Sequence, residues 1–172
     1  MALSMEQRPS APERVQAALS AAGVVAPIEE FPSSTRTAQE AAEAVGTSVG
    51  QIVKSLVFLA GDAPVLALVS GSNQLDPARL GALTGLPIGK ADADAVRQAT
   101  GYAIGGVPPT GFPAPIPTFI DRDLLQYDVV WAAAGTPRHV FPIAPQDLVR
   151  ITRGRVADLK PPNLPSPQVE GN

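Results

Sequence analysis

A mixed α/β domain is the fold class that this sequence predicts, and three observations predict it. Cap residues and glycines recur at helical spacing: Ser10 to Gly23, Thr37 to Gly46, Asp76 to Gly85 and Asp92 to Gly101. Between them lie short runs with strand composition, foremost IVKSLVFL (52–59) and VLALVS (65–70). Several of these runs are separated by only a few turn-forming residues. Strands joined that tightly pair as hairpins, so the sheet is mixed rather than doubly wound and parallel.

Ser10 caps a first helix over about 11–22, with Pro12 in its first turn and Val15, Ala18, Leu19 and Ala22 along one face. Thr37-Ala-Gln-Glu40 has capping-box spacing, which starts a second helix that Gly46 closes. The strand 52–59 turns at AGDAP and returns as 65–70. Asp76-Pro77 places a cap before a first-turn proline, and Gly85 stops that helix. PIGKA (87–91) reads as a short strand. Asp92 or Asp94 begins a helix with Ala95, Val96 and Ala99 inward and Gly101 as its stop. PTFID (117–121) is a strand, DVVWAAA (128–134) another, and RHVFPI (138–143) its hairpin partner across GTP. Pro145 and Asp147 mark a last helical turn before RVADL (155–159). No repeat or linker interrupts 10–160, which reads as one domain. The polar, proline-rich ends, 1–9 and 161–172, are expected to be disordered.

Composition narrows the chemistry. The 172 residues are 45% hydrophobic and 17% charged, which suits a folded globule. No apolar run approaches the roughly 18 residues of a membrane span, and the N-terminus shows no secretory pattern, so a cytoplasmic location is the expectation. The absence of cysteine rules out disulfides, thiol catalysis and thiolate metal sites. The net charge of −3 is unlike that of proteins gripping long duplexes through phosphates, and no DNA partner is expected. A small contact with one end of a nucleic acid is compatible with it. Arg150, Arg153 and Arg155 form a local basic group that is either a solvated face or a phosphate-contacting patch.

Most catalytic patterns fail on their mechanics. GTSVG (46–50) matches G-x-S-x-G, but the nucleophile elbow needs a strand running into a helix, and here a helix runs into a strand. A single histidine, His139, supports neither a triad in a suitable turn context nor a zinc site. GYAIGG lacks the glycine spacing of nucleotide-binding loops. No cofactor is implied.

Two features stand out. Lys54 sits in a strand that is apolar on both alternating faces, a pattern that normally means burial on both sides. Its ammonium then either snorkels to solvent at the strand's end or lines a cleft, since an unpaired buried charge is costly. The other feature is 101-GYAIGGVPPTGFPAPIP-117. Gly105 and Gly106 permit positive φ and close approach to bare amides, while Pro108 and Pro109 stiffen the next part of the loop. Such a loop is either a tight strand exit or a rigid set of N–H donors aimed into a cleft. His139 reads either as a structural strand histidine or as a substrate-positioning group. Arg138, beside it, reads as solvated, and Trp131 and Phe141 as core.

QIVKSLVF, the acidic-capped helix at Asp76, TGYAIGGVPPTG, FID and AAGTPRHVFPIAPQDL together resemble the YbaK family, aminoacyl-tRNA deacylases related to the editing domain of bacterial prolyl-tRNA synthetase. The resemblance spans about 13–160. It implies a mixed sheet partly closed into a barrel, and hydrolysis of the ester that joins a wrong amino acid to tRNA's 3′ adenosine, with a prolyl-type tRNA carrying a small amino acid as the expected substrate. It implies that Lys54 anchors the substrate and that the Gly105 and Gly106 amides contact the scissile carbonyl, with water as the nucleophile. Leu56, Val69, Ile104, Pro108 and His139 are the expected substrate-binding residues. His139 departs from the aspartate of some members. Phe31 lies near a place where some members carry a tyrosine, and no role passes to it. The implied partners are a misacylated tRNA acceptor end and an aminoacyl-tRNA synthetase. Two other readings stay open at this level: a module that binds aminoacyl ends without turnover, and a hydrolase of small esters.

Overall fold

The computed structural model describes residues 8–162. All but two residues of each segment expected to be disordered therefore lie outside the described residues. The helices begin where the caps place them. Ser10 and Glu13 form a reciprocal capping box that starts α1 (Ala11–Ala21), and Thr37 and Glu40 form another at α2 (Ala38–Val45). Asp76 caps α3 (Pro77–Thr84), and Asp92, rather than Asp94, caps α4 (Ala93–Thr100). Gly46, Gly85 and Gly101 each take the left-handed conformation that ends a helix. Beyond the expectation is the extent of α5 (Pro145–Thr152), a helix of eight residues. Its N-cap, Ala144, makes no side-chain cap bond, so the usual start signal is missing.

The strands are β1 (Glu29–Glu30), β2 (Val53–Ala60), β3 (Ala63–Ser70), β4 (Ile88–Lys90), β5 (Thr118–Asp121), β6 (Val130–Ala133), β7 (His139–Ile143) and β8 (Arg155–Ala157). Five of them form a sheet in the order β4-β2-β3-β5-β8. β2 and β3 are an antiparallel hairpin with Lys54 opposite Val69, whereas β3–β5 and β5–β8 are parallel. The other three form an antiparallel sheet, β1-β7-β6. The sheet is mixed, as expected, but neither sheet closes into a barrel. β4 and β8 are free edges of the larger sheet, and a single parallel bridge, Ile52 to Trp131, links it to the smaller one.

Alternation along β3 feeds two cores. Leu66 and Leu68 face Val15 and Leu19 of α1, Phe141 of β7 and Leu148 of α5. Val65, Ala67 and Val69 face Leu80 of α3 together with Phe119 and Leu159. Phe31 lies in a third, smaller cluster with Ala41, Ala42, Ile52 and Val140, as a core residue. No helix among the described residues is long and apolar enough to cross a membrane.

One gap in this architecture positions the site. β4 pairs with β2 only at 58–60, and β6, although it lies near β2, bridges the chain only at Ile52, just before the strand, so no strand pairs with Val53–Val57 on their outer side. Residues 54–59 are accordingly half-buried, not enclosed on both faces as the apolar pattern predicts.

Beyond β8, Lys160 returns to the sheet and its Nζ donates to Asp123 Oδ2 at 2.9 Å. This bond, followed by one from Asn73, holds the Asp123 carboxyl below its ordinary pKa of 3.8. The pair is partly exposed, so screening limits it to less than about 1 kcal/mol. An acid with a lowered folded pKa stabilises above its unfolded value and loses that contribution as pH falls through the folded one. Lys160→Met is therefore expected to be slightly less stable than the parent at pH 7, with the difference closing below the ordinary aspartate pKa, as measured by urea unfolding across that range.

Candidate active site

Along the open edge of β2 lies a cavity of about 280 Å³. Lys54 and Leu56 line it from β2, Ile104 and Gly105 from the loop after α4, and His139 from β7. Five of the residues singled out in the sequence thus meet in one place, although they span 86 positions of the chain (54 to 139). Three others stand apart from it. Val69 is fully buried beneath α3, and Gly106 and Pro108 are buried behind the loop. Ile104 is 59% exposed, at the mouth.

The glycine pair divides its work. Gly105 has φ +92°, where a side chain would be strained, and its amide makes no hydrogen bond to another group among the described residues. The Gly106 amide is not free: it donates to the Ala103 carbonyl at 3.0 Å. A Cβ at Gly106 would stand 2.6 Å from the Gly135 carbonyl oxygen and 2.6 Å from Thr136 Cα. Gly106 thus lets the loop press backbone to backbone against the β6–β7 turn, and that contact holds Gly105 at the cavity.

Lys54 is half-buried, and its ammonium donates to the main-chain carbonyl of Asn73. Burial pushes its pKa below the ordinary lysine value, an effect that the negative charge of Asp121 opposes. Ser55, the next residue, lines the same cavity, and its buried hydroxyl has no partner among the described residues. It also lines an adjoining pocket of about 150 Å³ with Val57, Phe58 and Val96. Nothing in the sequence marks it, because an isolated serine in a strand has no signature.

The histidine is held by its neighbours. Thr136 Oγ1 lies 2.6 Å from His139 Nδ1 and accepts from the Arg138 amide at 3.0 Å. The other ring nitrogen, Nε2, lies 3.8 Å from Glu30 Oε2. Arg138 is more than a solvated residue. Its Nε and Nη2 donate to the Phe31 carbonyl at 3.2 and 3.1 Å, and Nη2 also donates to the Pro32 carbonyl at 3.3 Å. Thr35 Oγ1 donates to the Pro137 carbonyl at 3.0 Å. These bonds tie the segment before α2 to the β6–β7 turn and close one wall of the cavity. Trp131 lines it from β6, while Phe141 is wholly core.

None of Arg150, Arg153 and Arg155 lines the cavity. Arg150 donates to the Ala22 carbonyl at 2.9 Å and to Asp147 at 3.1 Å, Arg153 ends α5, and Arg155 lies in the edge strand β8. The arginine that does line it is Arg36, exposed beside the start of α2. Among the described residues no three His, Cys, Asp or Glu gather as a metal would require.

A model of the aminoacyl-tRNA editing domain matches residues 32–151, a span that contains every residue lining the cavity. The chain belongs to the aminoacyl-tRNA editing domain family. It is similar to a crystal structure of a candidate trans-editing enzyme for prolyl-tRNA synthetase, with 49% identity and a TM-score of 0.85 over 93% of this chain and 99% of the other. EbsC of Enterococcus faecalis, named as a candidate Cys-tRNA(Pro)/Cys-tRNA(Cys) deacylase, is 28% identical over 125 residues, covering 72% of this chain and 76% of that protein. The proline–tRNA ligase of Streptococcus sanguinis is 33% identical over 88 residues, which is 51% of this chain and 14% of the ligase.

Within this editing domain, Gly106→Ala forces backbone apart at a contact with no flexible side chain to yield. It is expected to cost about 1–3 kcal/mol in urea unfolding and to disorder the Gly105 amide, read as broadening of its NMR signal.

Proposed function

We propose that the protein hydrolyses misacylated tRNA in trans, removing a wrong small amino acid from a prolyl-type tRNA. The observation that carries this reading is the shared cavity on the open edge of β2, which a half-buried lysine and a glycine loop with an unengaged amide both line. Family membership and the similarity to a candidate trans-editing enzyme support the same chemistry.

The reaction needs little apparatus. An aminoacyl ester is activated, so a fixed and polarised carbonyl suffices for attack by water, assisted by the neighbouring ribose hydroxyl. The water oxygen bonds to the carbonyl carbon and the ester C–O bond breaks. The proton passes to the ribose oxygen, which leaves the free amino acid and an intact 3′ end. A main-chain donor aimed at the developing oxyanion is worth about 3 kcal/mol, and Gly105 has such an amide to offer. Gly106 acts by holding that loop in place. Lys54 receives the negative side of the substrate. Leu56, Ile104 and His139 bound the space for the aminoacyl group. Val69 and Pro108 act from behind the wall, through packing alone. Only the acceptor tip enters, so an acidic protein is sufficient, and Arg36 stands nearer to the tip than the arginines at 150–155.

Deacylation of a panel of alanine, cysteine, serine and threonine esters on proline and alanine tRNAs tests this. Turnover of a small amino acid on proline tRNA is expected, with cognate prolyl-tRNA spared. Removing a charged hydrogen-bond partner is worth about 1.5–3 kcal/mol, so Lys54→Ala is expected to lower kcat/KM about ten- to a hundredfold. Binding without turnover across the panel, or full activity in Lys54→Ala, overturns the reading.

A further inference from the structure

Behind Lys54 lies a polar network that the editing reaction does not itself call for. The turn 70–73 is gathered on one oxygen: Asp121 Oδ2 accepts from the Ser70 amide at 3.0 Å and from Asn73 Nδ2 at 2.8 Å. The other oxygen, Oδ1, accepts from the Asp123 amide at 3.0 Å. Asn73 Nδ2 also reaches Asp123 Oδ2 at 2.8 Å, so both hydrogens of its amide are engaged. The Asn73 amide N–H closes the turn on the Ser70 carbonyl at 2.9 Å. Every hydrogen-bonding group of Asn73 except its main-chain carbonyl and side-chain oxygen is thereby fixed. That main-chain carbonyl is the acceptor of the Lys54 ammonium.

Asp121 is 1% exposed, and no cation lies within ion-pair distance of it among the described residues. A buried carboxylate without a direct ion pair is expensive to keep. Strand register explains where its charge acts. Lys54 is opposite Val69 on β2–β3, and Asp121 follows Ile120, which is opposite Leu68 on β3–β5. Lys54 and Asp121 are therefore on the same face of the sheet, with β3 between their strands.

We propose that Asn73 and Asp121 are positioning residues for Lys54: the carboxylate fixes the 70–73 turn, and the turn's last carbonyl fixes where the ammonium stands at the cavity. Asn73 supplies geometry alone, whereas Asp121 supplies geometry and charge. Asp123, with Lys160 bound to it and Arg122 and Asp158 nearby, completes the set of ionisable groups around the turn. Asp121 is the one whose charge bears on Lys54, opposing the effect of burial.

The inference rests on the editing reading, and its test separates the two. The Lys54 side chain is titrated by NMR in the parent, in Asn73→Ala and in Asp121→Asn, alongside deacylation against pH and urea unfolding. Asp121→Asn is expected to move the Lys54 titration, and the alkaline limb of kcat/KM with it, to lower pH. Asn73→Ala keeps the carboxylate. A slight misplacement of a catalytic group can cost up to about a hundredfold, so Asn73→Ala is expected to lose about ten- to a hundredfold in kcat while still folded. An unmoved Lys54 titration in Asp121→Asn overturns the inference, as does full kcat in a folded Asn73→Ala. Should Asp121→Asn not fold, Asn73→Ala decides alone. If Lys54→Ala keeps full activity the editing reading falls, yet the NMR titration still decides whether Asp121 governs the ammonium.

Discussion

A strand left unpaired for five residues is the constraint on which this molecule depends. β2 is held on one side by β3 along its whole length, but on the other no strand pairs with it from Val53 to Val57. Had β4 extended along it, or had β6 joined it by more than the single bridge at Ile52, the larger sheet would have continued and no cavity would exist. An open edge carries main-chain groups that must find partners. Here the glycine-rich loop after α4 stands beside that edge without filling the space, and what remains is a cavity with Ile104 exposed at its mouth.

The second requirement is that the loop stay where it is. Two devices act together. Gly106 removes the side chain that would hold the loop off the β6–β7 turn, and the two prolines buried at 108 and 109 limit the conformations the chain can visit. The opposite wall is tied by Arg138 and Thr35 to the carbonyls of residues 31, 32 and 137. Rigid walls suit the water attack proposed above, which depends on charge and dipoles being held in place before the substrate arrives.

Local signals in the sequence were legible wherever a residue type has one physical use. Ser10, Thr37, Asp76 and Asp92 cap their helices because their side chains reach orphan amides, and Gly46, Gly85 and Gly101 end them because φ is positive there. Helix α5 was foreshortened because Ala144 offers no cap bond. β1, two exposed glutamates, has no strand composition at all and exists only because β7 pairs with it. The apolar run of β2 suggested burial on both faces, since composition cannot show where a neighbouring strand stops.

The site was legible as a set of residues but not as a division of labour. Lys54 and Gly105 were found through chemistry that is unusual for their context. That the Gly106 amide is already engaged, that Arg36 rather than Arg150, Arg153 or Arg155 stands at the cavity, and that Asn73 receives the ammonium all depend on long-range pairings without a local pattern. The measurement that bears most directly on the central claim is a crystal structure with a non-hydrolysable 3′-aminoacyl-adenosine. The account predicts the acyl oxygen within hydrogen-bonding distance of the Gly105 amide, with Leu56, Ile104 and His139 around the aminoacyl side chain. An analogue bound elsewhere, or one whose acyl oxygen points away from residue 105 with the cavity empty behind it, would contradict it.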